Sequence, residues 1–117
     1  ALANLELFET EKTLEKLPTK IDQLRAGLAN LKARHPLVHE VRQCGFIAGI
    51  ELRQTDGSKF SVEFRIGEQV CREARNHGLL TRPILDTIVL MPPLCTGPDE
   101  LDHALAALDK AISTIPR

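Results

Sequence analysis

Leu37-Val38-His39-Glu40-Val41-Arg42-Gln43-Cys44-Gly45-Phe46-Ile47-Ala48-Gly49-Ile50-Glu51-Leu52 is the stretch that decides the fold. Leu37 to Arg42 is rich in branched residues, and Phe46 to Leu52 is an apolar run of strand length. Cys44-Gly45 between them is a turn signal. The pair therefore reads as two neighbouring strands, the second largely buried.

Upstream of this pair the pattern is helical. Ala1 to about Lys16 holds strong helix formers, with Leu2, Leu5 and Phe8 at helical spacing. Pro18 is expected to interrupt, and a second helix to run from about Thr19 to Ala33. Ile21, Leu24, Leu28 and Leu31 give that helix one apolar face. His35-Pro36 ends it, because the residue before a proline is pushed out of the helical region. The first helix starts at Ala1 without a cap or a methionine, which reads as part of a longer chain.

Downstream, Asp56-Gly57-Ser58 is a turn. A helix follows from about Phe64 to Asn76, with Val70, Cys71 and Ala74 inward and Gly78 as its stop. Leu79–Ile84 and Thr87–Met91 read as two short strands joined at Leu85-Asp86, the second halted by Pro92-Pro93. The last helix begins near Thr96. Thr96 and Asp99 have capping-box spacing, and Pro98 falls in the first turn, where its missing N–H costs nothing. Leu101, Leu105, Leu108 and Ile112 form its inward stripe. The sum is an α+β domain, a small, mostly antiparallel sheet covered by helices.

The length of 117 residues allows one domain, and 43% apolar residues fill one core. Fifteen Lys and Arg against 16 Asp and Glu give a formal charge of -1, with no basic footprint for a nucleic acid. The aromatics are four Phe, which excludes a stacking platform for single strands. No apolar run approaches the ~20 residues of a membrane span, and no signal-peptide pattern opens the chain. A soluble, cytoplasmic protein is expected. Cys44, Cys71 and Cys95 are too few and too scattered for a disulfide framework, and each is expected to be a buried, inert thiol.

Few residues promise chemistry. His35 and His39 are four apart but straddle Pro36 and enter a strand, so they should not converge on a metal. His77 precedes the helix-ending Gly78, where a cation suits the helix dipole. His103 falls on the exposed side of the last helix. Gly45 and Gly49 match no nucleotide-binding loop and suggest close backbone packing at a bulge or strand crossing. Asp99, Glu100 and Asp102 make an acidic first turn that the helix dipole explains. Arg82 stands apart, at the end of a short apolar strand and braced by Pro83. Two readings are open for it: a planar fork that takes a ligand carboxylate, or a salt bridge to a nearby Asp or Glu.

The runs His77-Gly78-Leu79-Leu80-Thr81-Arg82-Pro83 and Val89-Leu90-Met91-Pro92-Pro93-Leu94 resemble the C-terminal domain of class III pyridoxal-phosphate aminotransferases. They are most similar to the branch acting in biotin synthesis. Val41-Arg42-Gln43-Cys44-Gly45-Phe46-Ile47-Ala48-Gly49-Ile50-Glu51-Leu52 resembles the family's strand pair, and Ala1 to Glu9 resembles the helix leaving its large domain. The likeness covers essentially the whole chain. Arg-Pro followed by Leu-Met-Pro-Pro is its most specific part, since ornithine- and acetylornithine-type relatives usually lack that Arg-Pro.

The resemblance implies the small C-terminal domain of fold-type I transferases over residues 18–117, with residues 1–17 a linker helix from a missing large domain. It implies a homodimeric parent that moves an amino group from S-adenosylmethionine, through pyridoxal 5'-phosphate, to 8-amino-7-oxononanoate. It further implies that Arg82 binds the substrate carboxylate. The Schiff-base lysine, the aspartate facing the pyridine nitrogen and the phosphate-binding residues belong to the large domain. The six lysines present lie in no matching motif, so the chain is expected not to catalyse alone. Leu85 departs from the small or polar residue expected after Arg-Pro, and Val89 replaces an aromatic residue of some members. A different ω-amino acid or diamine substrate, or a free-standing ligand-binding or interaction module, are the alternatives.

Overall fold

A computed structural model describes residues 1–116. Its elements are α1 (Leu2–Thr10), α2 (Thr13–Arg34), β1 (Val38–Cys44), β2 (Ile47–Leu52), a short 3-10 helix (Val62–Phe64), α3 (Ile66–Asn76), β3 (Arg82–Ile84), β4 (Thr87–Leu90) and α4 (Pro98–Ser113). The strands form one sheet in the order β1-β2-β4-β3, and every neighbouring pair is antiparallel. The expected α+β arrangement is present.

The sheet has one covered and one open face, and strand alternation sets which residue goes where. Ala48, Ile50 and Leu52 of β2 are buried with Ile88 and Leu90 of β4, while Ile47 stays half exposed. Register aligns Val41, Ile50, Ile88 and Pro83 across the sheet on the covered face. The next row, Arg42, Gly49, Val89 and Arg82, therefore lies on the open face. β2 is thus buried on alternate residues only, not along its length.

Three helices supply the cover. α2 buries Leu24, Leu28 and Leu31, α3 buries Ile66, Val70, Cys71 and Ala74, and α4 buries Leu101, Leu108, Ala111 and Ile112. Each large side chain withdrawn from water contributes about 1.5–3 kcal/mol. α3 closes as its sequence indicates. The amide of Leu79 reaches back to the Ala74 carbonyl at 3.0 Å and that of Gly78 to Arg75 at 3.1 Å, with Gly78 at φ +87°.

Several boundaries differ from expectation. Pro18 does not break the helix. It lies inside α2, and the carbonyl it orphans belongs to Leu14, an exposed residue that water can reach. The break falls instead at Lys12, which takes a left-handed φ of 53°. The cap of α4 is Gly97, whose amide donates to Glu100 Oε2 at 2.8 Å, one residue beyond the expected Thr96 and Asp99 pair. Gly45 serves a two-residue hairpin turn at φ +58° and makes no close packing. Of the cysteines only Cys71 is buried, its thiol pushed up to about 11 by desolvation. Cys44 and Cys95 are exposed, because the first ends β1 on the open face and the second lies in the loop before α4. Among the described residues no helix is long and apolar enough to cross a membrane.

Candidate functional site

Arg82 opens β3, the outermost strand, directly across from Val89. Three constraints fix its backbone. The Thr81 hydroxyl donates to the Val89 carbonyl, a brace that sequence reading did not single out. Pro83 limits φ and faces α3 at Gly67. The third is the hairpin tip, where Leu85 adopts φ +53° while its side chain stays 82% exposed. The departure noted at Leu85 thus coincides with a backbone conformation that a leucine resists.

The Arg82 side chain is exposed on the open face. Arg25, Arg34, Arg42, Arg53, Arg65 and Arg72 each lie between 2.6 and 3.2 Å from a carboxylate. Among the described residues Arg82 forms no such pair, and neither does Arg75 on α3. The salt-bridge reading therefore finds no partner among them.

The same face carries a charge ladder that sequence reading missed. Glu51 Oε1 accepts from Arg53 Nε at 2.8 Å, and Oε2 accepts from Arg42 Nη1 at 2.9 Å. Arg42 Nη1 also donates to Glu40 Oε2 at 2.8 Å. Hydrogen bonds from Arg53 first, then Arg42, hold the Glu51 carboxyl below the usual glutamate range. The bond to Glu51 is the main cause that raises Arg42. Alternation predicts that residues 40, 42, 51 and 53 share a side once the register is known. The register was the missing signal.

The remaining sequence candidates are structural. His35 is buried and its Nε2 lies 2.7 Å from Asp109 Oδ1, tying the end of α2 to α4. His39 is exposed on β1, and no group of three metal-ligating side chains gathers among the described residues. His77 caps α3 and meets Glu73 Oε1 at 3.2 Å. His103 is exposed, with its ring against Gly78.

Two cavities flank the Arg82 segment without including Arg82 itself. One of about 620 Å³ is lined by Phe60, Lys59, Pro83, Leu85 and their neighbours, and one of about 650 Å³ by Thr81, Leu90, His103 and theirs. Neither suits pyridoxal phosphate. The first holds Lys59 and Arg65 beside Glu51, Glu68 and Asp86, with Arg65 already paired to Glu68 at 2.6 Å, so its cations face carboxylates and build no phosphate cradle. The second is lined by Asp99 and Glu100 and by no lysine that could form a Schiff base. The residues present do not fit that cofactor.

An antiparallel sheet with helices on one face, and on the other an arginine that pairs with no carboxylate among the described residues, defines a small two-layer α+β domain. Residues 1–112 match the family model described as aminotransferase class-III, and the chain belongs to that family. It is 44% identical over 98% of its length to the adenosylmethionine-8-amino-7-oxononanoate aminotransferase of Geobacter sulfurreducens. It is 42% identical over 100% of its length to that of Aquifex aeolicus. The chain spans 26% of each of these relatives. The crystal structure of the Methanocaldococcus jannaschii enzyme of that name superposes with a TM-score of 0.89 at 34% identity, covering 97% of this chain and 26% of that one.

Proposed function

We propose that this chain is the C-terminal, substrate-closing domain of a cytoplasmic, homodimeric aminotransferase that passes an amino group from S-adenosylmethionine to 8-amino-7-oxononanoate. Pyridoxal phosphate is the cofactor in this reading and is held by the part of the enzyme outside the chain. The names of the relatives and the family support the reaction. One observation carries the role of the chain itself: a guanidinium on a backbone braced from three sides, facing outward and paired with no carboxylate among the described residues.

Arg82 then binds the substrate carboxylate through two parallel N–H donors. Glu40 and Glu51 neutralise Arg42 and Arg53, which leaves Arg82 as the cation of its row without a carboxylate among the described residues. Residues 1–17 form the bridge to the rest of the enzyme in this reading. Leu2, Leu5, Leu7 and Leu14 are all more than half exposed and α1 buries nothing, which suits a covered position in the parent.

The test is single-turnover kinetics on each half-reaction of the full-length enzyme. Removing one partner of a desolvated charged pair costs about 2–5 kcal/mol, so Arg82→Ala should lower kcat/KM roughly 30- to several-thousand-fold. Arg82→Lys should recover only part, since it keeps the charge and loses the fork. Wild-type rates for folded Arg82→Ala in both half-reactions would overturn the proposal.

A further inference from the structure

We infer that Gly67, in the first turn of α3, is a positioning residue for Arg82, because its lack of a side chain lets the Arg82–Leu85 segment seat where the guanidinium meets a carboxylate. The inference rests on the binding role proposed for Arg82. Glycine is the poorest helix former after proline, so its presence in α3 calls for a reason in packing. Here it has one. A methyl carbon at Gly67 would collide with the Leu85 carbonyl oxygen and lie 2.8 Å from Pro83 Cβ.

Neither obstacle can turn aside. The oxygen belongs to the backbone, and Pro83 Cβ belongs to a ring. Leu85 is already held at φ +53°, so the hairpin tip has little freedom to yield. On the other side, Thr81 is tied to the Val89 carbonyl. Carbons rest comfortably at about 3.5–4.0 Å, so the hairpin would have to retreat by roughly 1 Å. Arg82 is the residue next to Pro83 and would move with it. A displacement of that size in a binding group can cost on the order of 100-fold.

The full-length enzyme should be assayed with the natural carboxylate-bearing acceptor and with an analogue ending in a methyl group. Gly67→Ala should lower kcat/KM for the acid roughly 10- to 100-fold, mostly through KM, and leave the analogue unchanged. Arg82→Ala with Gly67→Ala should be no worse on the acid than Arg82→Ala alone. An equal fall on both substrates overturns the inference, as does no fall on either while Arg82→Ala keeps its selective loss. If Arg82→Ala shows no selective loss, the reading of Arg82 fails and takes this one with it. Should Gly67→Ala yield too little folded enzyme, Gly67→Ala with Leu85→Gly, set against Leu85→Gly alone, decides, since a glycine at the tip lets the hairpin retreat and the chain fold. A severalfold selective fall supports the role, and an unchanged ratio between the substrates overturns it.

Discussion

Leucine at a left-handed backbone position sets its Cβ against the following carbonyl, and an exposed side chain recovers nothing by packing. Leu85 meets both conditions, with φ +53° and 82% exposure. Leu85→Gly should therefore raise the stability of the chain by about 0.5–1 kcal/mol, less than the full strain because glycine gains unfolded-state freedom. Urea midpoints measure this, and a lower midpoint would show that the leucine makes a contact worth keeping. The fixed backbone at Arg82 was legible in the sequence because Pro83 stands beside it, although the strand begins at Arg82 and does not run from Leu79. The conformation of Leu85 was not, since no glycine or asparagine stands there to signal a positive φ.

At the scale of elements, the order of helices and strands follows from hydrophobic period, whereas their ends follow from local contacts. Pro18 illustrates the difference. Its ring suggests a break, yet the chain breaks at Lys12, which carries no breaker signal at all. Pro18→Ala restores a bond to the Leu14 carbonyl and should slow amide exchange in the first turns of α2 roughly ten- to a hundredfold. Unchanged exchange there would mean that the segment opens by another route.

The β1–β2 ladder has a pH signature. The folded Glu51 carboxyl lies below its unfolded value, held by Arg53 and Arg42. Its contribution is therefore complete above the ordinary glutamate range and is lost as pH falls through the folded value. Glu51→Gln should destabilise at pH 7, and the gap to wild type should narrow once pH drops below about 4.3. A gap that stays constant with pH would assign the loss to shape, not charge.

For the whole molecule, the layered arrangement was legible because β2 and the three covering helices each show their apolar residues at the right spacing. The open face was not. Ile47 to Leu52 reads as buried throughout, and only the register separates Gly49 and Glu51 from the core. The long axis of 48 Å against 25 and 21 Å reflects another feature hidden from sequence, helices extending past the sheet. Since α1 buries nothing, deleting residues 1–11 should leave the thermal midpoint of the chain within about 2 °C. A larger fall would show that α1 stabilises the fold beyond its own turns.

Pro83 has a second effect, on the solubility of the fold. A strand left uncovered at the border of a sheet invites foreign strands to pair with it and nucleate aggregates. β3 is only three residues long, and its middle residue has no amide hydrogen to offer. The same ring that steadies Arg82 thus leaves an incoming chain too few donors to propagate a ladder. The border that carries Arg82 is guarded against pairing with another polypeptide.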